Sequence, residues 1–154
     1  MEYGSIEREI HIEATPDVVY EVVSRPEHLR EWWPDEADLE PVPGATGVIT
    51  FGGRDTPDAK AVPLTVVEAD PPRRFSFRWV YDEGAAATSG NSLLVTFELI
   101  PKGAGTLLRF TETGFREKGW EAAVLEEQYR DHVRGWDHFL PRLIAYAARL
   151  GSAR

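Results

Sequence analysis

The chain has 154 residues, a net charge of −9 and no cysteine. The absence of cysteine excludes disulfide bonds and thiolate chemistry, and the negative charge disfavours binding to nucleic acids and to anionic membranes. A hydrophobic fraction of 42% is ordinary for a globular protein. A length of this order predicts one domain, residues 1–154, with a hydrophobic core of its own.

The sequence also indicates where the protein is found. No apolar run approaches the roughly 18 to 20 residues that a membrane helix needs. The segment Met1-Glu2-Tyr3-Gly4-Ser5 has neither the basic nor the apolar region of a signal peptide. We therefore expect a cytoplasmic protein without a membrane partner.

The N-terminal third predicts a strand and two short helices. Isoleucines alternate with charged residues over residues 5–14, which is typical of a half-buried strand. Thr15 is a suitable N-cap and Pro16 suits the first helical position, so a helix is expected to begin there. Pro26 ends that helix, and residues 27–32 indicate a second short helix that leads to Trp33.

The middle of the chain predicts six further strands, separated by turns rich in proline and glycine. In the strand over residues 74–81, four aromatic residues share one face. Leu93, Val95, Phe97 and Leu99 likewise share a face of the strand over residues 92–100. The predicted strands cover residues 37–40, 48–51, 62–69, 74–81, 92–100 and 106–113.

From about Trp120 the hydrophobic period changes to that of a helix, and it continues almost to Leu150. Pro141 lies within this segment, where it removes one backbone hydrogen bond and predicts a kink near Asp137. The order of elements predicts an α+β fold, in which a curved antiparallel sheet of about six or seven strands wraps around a long C-terminal helix, with two short helices after the first strand.

Six short segments support this fold, because they follow the order found in a known family. They are Pro26-Glu27-His28-Leu29 with Trp32-Trp33, Pro43-Gly44, Val67-Glu68-Ala69-Asp70-Pro71-Pro72-Arg73-Arg74, Val95-Thr96-Phe97-Glu98-Leu99, Thr111-Glu112-Thr113-Gly114-Phe115 and Gly135-Trp136. Together they resemble the bacterial family related to activators of a heat-shock-protein ATPase (the Aha-type C-terminal domain), within the START-like, helix-grip (SRPBCC) superfamily.

This resemblance implies an apolar cavity between the sheet and the long helix. It implies no single activity, because the superfamily includes lipid carriers, polyketide cyclases and hormone receptors. The eukaryotic activators engage the chaperone through an additional N-terminal domain that this sequence does not include. Chaperone activation is therefore not carried over to this chain.

The aromatic residues are the candidate ligand contacts. On the predicted inner faces they either fill the core or line a cavity, and the sequence leaves both readings open. Three of them, Trp32, Trp33 and Phe115, are expected near the mouth of the cavity. The full set of predicted ligand-binding residues is Trp32, Trp33, Phe51, Phe75, Phe77, Trp79, Phe97, Phe110, Glu112, Phe115, Tyr129, Val133 and Trp136.

Glu112 is the candidate polar group of the site. By alternation its side chain points to the interior, where a carboxylate is costly unless it is paired. It would act as a proton acceptor or ligand anchor, or else pair with a nearby arginine or cap backbone amides near Gly114. If it has a catalytic partner, the candidates are Tyr81, Tyr129 and His132.

Metal and nucleophile chemistry find no support in the sequence. His132 and His138 are six residues apart, so they do not share a helix face as paired metal ligands do. No serine lies in a nucleophile elbow. We expect no metal and no cofactor.

Three hypotheses of function follow. The first is the binding of a small hydrophobic or amphipathic ligand in the cavity, without catalysis. The second is a cyclase- or hydratase-like enzyme with Glu112 as acid and base. The third is a chaperone-interacting or regulatory protein. The sequence leaves the oligomeric state open, a homodimer included.

Overall fold

A single antiparallel sheet and one long helix form the framework of the computed structural model, which describes residues 3–52, 57, 59–82 and 84–153. Within these residues seven strands form a curved, open sheet with the order β1-β7-β6-β5-β4-β3-β2. The strands are β1 (Ser5–Ile12), β2 (Glu36–Asp38), β3 (Thr46–Phe51), β4 (Lys60–Asp70), β5 (Arg74–Trp79), β6 (Leu93–Lys102) and β7 (Gly105–Thr113), and the helices are α1 (Pro16–Ser24), α2 (Pro26–Trp32) and α3 (Ala122–Ala153). The predicted α+β helix-grip fold is confirmed.

Prolines set the helix boundaries. Pro16 and Pro26 occupy the first turns of α1 and α2, where a missing backbone N–H costs nothing. The second helix thus begins at Pro26 itself, one residue earlier than predicted. Pro141 lies inside α3, which is helical on both sides of it; the proline faces solvent, away from the packed stripe of the helix.

The predicted alternation sorts side chains onto the two faces of the sheet. In β6 and β7 the inward pairs include Phe97 opposite Phe110 and Val95 opposite Glu112. Trp136, Leu140 and Leu143 of α3 are buried between helix and sheet. The hydrophobic core lies between this inner face and the three helices.

The strand over residues 74–81 is shorter than predicted. It ends at Trp79 because Val80 has φ +61°, a left-handed conformation that β-branched residues rarely adopt. This residue turns the chain, so Tyr81 no longer continues the inward face. Its hydroxyl lies 2.7 Å from Thr65 Oγ1 instead.

Gly114 makes the connection from the sheet towards α3. Its φ is +105°, and a Cβ there would lie 2.9 Å from the carbonyl oxygen of Ser92, so a side chain would both strain the backbone and clash. The turn at Gly114 brings Phe115 into the core with no exposed surface. Among the described residues, none of the helices is long and apolar enough to cross a membrane.

Candidate functional site

The carboxylate of Glu112 is fully buried and accepts three hydrogen bonds from side chains. Trp79 Nε1 donates to Oε2 at 2.7 Å. Trp136 Nε1 and His132 Nδ1 both lie 2.8 Å from Oε1. Because a carboxylate oxygen accepts, the bond assigns a proton to the Nδ1 atom of His132.

The sequence brings these four residues together in a simple way. Glu112 lies on the inner face of β7 because it alternates with Phe110 and Leu108. His132 and Trp136 are one helical turn apart, so α3 presents both donors on the same face. The three bonds compensate the burial of a charge, which is costly without partners. Glu112 thereby joins β7 to β5 and α3.

His132 connects this buried carboxylate to an open cleft. Its side chain is only 14% exposed, and its ring packs edge-on against Trp79 and Phe115 at centroid distances of 5.5 and 5.4 Å. While Nδ1 is bound to Glu112, no described residue makes a hydrogen bond to Nε2. That ring nitrogen is therefore the polar atom that the pair offers to a ligand.

The cleft, here called the rim cleft, lies where β3 ends, β4 begins and β5 ends, beneath the first half of α3. Its volume is about 410 Å³, within the usual range of about 300–1,000 Å³ for small-molecule sites. A smaller cavity of about 170 Å³, here called the side cavity, shares Phe51, Trp79 and His132 with it. The rim cleft is lined by Phe51, Lys60, Ala61, Val62, Pro63, Trp79, Val80, Tyr81, Asp82, Lys118, Gln128 and His132, and the side cavity by Trp33, Phe51, Trp79, Asp131, His132, Gly135, Trp136 and Phe139.

Lys118 holds one wall of the rim cleft in place. Its ammonium donates to the carbonyl oxygens of Val80 at 2.8 Å and of Asn91 at 2.9 Å, and it lies 5.0 Å from the ring centroid of Trp120. Burial lowers the pKa of Lys118, against an opposing effect from Asp82. These bonds tie the strained turn at Val80 to the segment that precedes α3.

The predicted aromatic wall is for the most part core. Trp33 lies at its centre, with ring centroids 5.1 Å from both Trp79 and Trp136 and 5.6 Å from Phe77. These rings pack against one another and fill the space between the sheet and the helix. The open space therefore lies at the rim of the sheet rather than over its middle.

The predicted site residues accordingly fall into three groups. Those that line the rim cleft or the side cavity are Trp33, Phe51, Trp79 and Trp136. Glu112 lies behind this lining and meets it through His132. The rest line neither cavity: Trp32, Phe75, Phe77, Phe97, Phe110 and Phe115 are buried in the core, and Tyr129 and Val133 are half-buried on α3.

Two expectations change as a result. Trp32 and Phe115, predicted at the mouth, have no exposed surface; the indole of Trp32 donates instead to the carbonyl oxygen of Val22. Glu112 pairs with His132 and two indoles rather than with an arginine or backbone amides. Of the three candidate partners for Glu112, His132 is the one in contact, and the hydroxyl of Tyr129 donates to the carbonyl oxygen of Ser5.

Sequence reasoning missed the polar role of two tryptophans, and it left His132 as one of three candidate partners of Glu112. The pattern predicts Trp79 and Trp136 only as aromatic ligand contacts, whereas both donate to Glu112. The signal was available in the four-residue spacing of His132 and Trp136 opposite an inward carboxylate. No comparable signal marked Lys118 or Phe139, whose positions depend on the path of the chain around the rim.

A larger depression of about 600 Å³ lies on the outer face of the sheet, but its charges satisfy one another. Arg74 and Arg109 both pair with Glu98, at 2.5 and 3.7 Å, and the row of alternating charge continues through Glu9 and Glu68. Leu99, Ile100 and Pro101 give the depression an apolar part, and each of its charged side chains belongs to an ion pair with another residue of the lining. Within the described residues, no group of three or more histidine, aspartate or glutamate side chains is arranged to hold a metal ion.

The chain was compared with known protein sequences and with solved structures. No curated protein sequence matches it significantly. Protein MLL2253 from Mesorhizobium loti has 20% identity and a TM-score of 0.73, over 94% of this chain and 97% of that one. Aha1 from Colwellia psychrerythraea, solved in solution as a dimer, has 20% identity and a TM-score of 0.64, over 91% and 92%. DynU16, a protein in the dynemicin biosynthetic locus, has 21% identity and a TM-score of 0.68, over 93% of this chain and 46% of that one.

At these identities the solved structures show a shared fold. The family match is independent of them. A model of the family described as "Activator of Hsp90 ATPase homolog 1-like protein" matches residues 13–148, which is most of the chain. The protein therefore belongs to the Activator of Hsp90 ATPase homolog 1-like family.

Proposed function

We propose that the protein binds a small, flat, amphipathic molecule in the rim cleft. The observation that carries this proposal is the position of His132, whose Nδ1 is fixed by a buried carboxylate while its other ring nitrogen has no described partner. A side chain held in this way is preorganised, so a ligand loses little free energy in ordering it.

The lining of the cleft supports an amphipathic ligand. Phe51, Val62 and Trp79 offer apolar contact, and aromatic rings favour a flat partner. A purely apolar molecule would cover Nε2 without replacing its hydrogen bond to water, which is unfavourable. A ligand with a hydroxyl or amide N–H beside its apolar body would satisfy that nitrogen.

The proposal is tested with 1-naphthol as probe and 1-methoxynaphthalene as its matched control. Both have the same ring system, but only the naphthol can donate to Nε2. Quenching of the tryptophan fluorescence reports binding, because Trp79 and Trp33 line the two cavities. We expect both compounds to bind, the naphthol up to about tenfold more tightly, as one hydrogen bond of about 1.5 kcal/mol allows.

The variant His132→Asn is the control on the protein side. An asparagine amide can keep the donor to Glu112, but it removes the nitrogen that faces the cleft. It should bind the two naphthalenes equally. Failure of the wild-type protein to bind either compound would contradict the proposed function for flat aromatic ligands, and native mass spectrometry of the purified protein would then be needed to seek a different occupant.

We also propose that the protein forms a homodimer. The support is the dimeric solution structure of the related Colwellia Aha1. Light scattering coupled to size-exclusion chromatography should give twice the chain mass at high concentration. A monomer mass at every concentration would contradict this proposal.

A further inference from the structure

We propose that the rim cleft has proton-transfer activity, in which His132 is the general base and Glu112 is its positioning residue. This inference rests on the proposed function, because a substrate must first occupy the cleft. The substrate class is an aromatic or carbonyl compound with an acidic C–H bond. It differs from the sequence-based hypothesis in that Glu112 does not itself meet the substrate.

The first support is the orientation of the base. The carboxylate of Glu112 accepts from Nδ1 at 2.8 Å, and this bond fixes the tautomer in which Nε2 carries the lone pair. A base held by a third group in this way is the arrangement used in nucleophile–histidine–carboxylate sites. In this protein a substrate bound in the cleft would occupy the position beside Nε2 that the nucleophilic side chain occupies in those sites.

The second support is the fate of the proton. When Nε2 takes a proton, the imidazolium lies beside a carboxylate that is already buried and hydrogen-bonded, so the new charge is compensated without reorganisation. Glu112 stays in place during the step because Trp79 and Trp136 also bind it. Only 14% of the His132 side chain is exposed, and a weakly solvated base is more reactive.

Other charged groups around the cleft will also influence the pH dependence of the reaction. Lys60 of β4, Asp82 after β5 and Lys118 before α3 line the rim cleft together with Tyr81. Asp131 of α3 lines the side cavity. The test therefore compares variants that share all of these groups.

The probe is 5-nitrobenzisoxazole, whose ring opening requires only a base. Nε2 removes the proton from C3, the C–H electron pair forms the additional C–N bond of a nitrile, and the N–O bond breaks with its electron pair on the phenolate oxygen. The proton on His132 then passes to water. No oxidant, reductant or second substrate is needed, and the coloured phenolate is followed by absorbance.

We expect kcat/KM of the wild-type protein to exceed that of His132→Asn by at least about 100-fold, the lower end of what general base catalysis supplies. The wild-type rate should rise with pH through one ionisation to a plateau, and this rise should be absent in His132→Asn. In Glu112→Gln kcat should fall while KM stays close to that of the wild-type protein, because the amide no longer fixes the tautomer in which Nε2 carries the lone pair. A purely structural role of Glu112 would change KM as well, because it would disturb the cleft that binds the substrate.

Equal rates in the wild-type protein and His132→Asn would overturn the inference. If both still bind 1-naphthol in that case, the proposed function survives and only the catalytic role fails. A Glu112→Gln profile that coincides with the wild-type profile would remove the positioning role. If Glu112→Gln does not fold, Trp136→Phe replaces it, because it removes one of the other two donors to Glu112 and should lower the rate without removing the rise with pH.

Discussion

The carboxylate of Glu112 and the imidazole of His132 meet across the interface between β7 and α3, with Oε1 and Nδ1 2.8 Å apart. The same contact joins the sheet to the long helix and orients the ring nitrogen at the rim cleft. Stability and the candidate function therefore depend on one pair of side chains. Variants of this pair must be measured for folding before they are measured for binding.

Glu112→Gln should be far more destabilising than the same change at Glu98. The amide leaves at least one of the three buried donors without an acceptor, which should cost about 2–4 kcal/mol of unfolding free energy. Glu98 is partly exposed on the outer face, where it pairs with Arg74 and Arg109, so Glu98→Gln should cost less than about 1 kcal/mol. Urea unfolding at neutral pH measures both. Equal losses would mean that Glu112 does not hold the helix to the sheet.

Two buried tryptophans distinguish a bond to a charge from a bond to a neutral group. Trp136 donates to the Glu112 carboxylate and Trp32 to the carbonyl of Val22, and both side chains are buried. Trp→Phe removes comparable packing at each position. We expect Trp136→Phe to cost about 1 kcal/mol more than Trp32→Phe, because hydrogen bonds to charged groups are the stronger kind. A larger loss at Trp32 in urea unfolding would mean that the bond from Trp136 to the Glu112 carboxylate is not the stronger of the two.

Much of the fold was predictable because its signals are local. Alternation placed Phe97, Phe110 and Glu112 on the inner face, and the helical period located α3 to within a few residues. The site was less predictable because it depends on packing between distant segments. Whether inward rings fill the core or leave a cavity depends on how closely Trp33 approaches Trp79 and Trp136, and no local pattern contains that distance.

Gly135 makes α3 less stable than an alanine at the same position would, because glycine has the lower helix propensity. It lies inside α3 and lines the side cavity, and a Cβ added there would meet nothing within 4 Å. Gly135→Ala should therefore raise the unfolding free energy by about 0.5–1 kcal/mol through helix propensity alone. Urea unfolding measures the gain. A loss of stability would mean that the backbone at this position needs the freedom of glycine.

The fall of the unfolding free energy at alkaline pH should depend on Tyr20. Burial raises the pKa of Tyr20 above its ordinary 10.0, and Asp70 and Glu68 of β4 raise it further; Asp17, Glu21 and Arg25 also line the depression beside it. Above about pH 10 the unfolded chain loses this proton while the native protein keeps it, so stability should fall as pH rises.

Tyr20→Phe removes that contribution. Its unfolding free energy should differ little from wild type near pH 8 and should fall less between about pH 9 and pH 11. The lowered pKa of Lys118 acts in the opposite direction, but it is common to both proteins. Parallel curves for the two proteins would exclude Tyr20 as the source of the alkaline loss.

The tautomer of His132 can be measured from the ¹⁵N chemical shifts of its ring at a pH where the imidazole is neutral. We expect a proton on Nδ1, a Nε2 resonance typical of an unprotonated ring nitrogen, and a shift of that Nε2 resonance when 1-naphthol is added. A proton on Nε2, or a Nε2 resonance that does not respond to the naphthol, would contradict the claim that Glu112 presents this nitrogen to a ligand in the rim cleft.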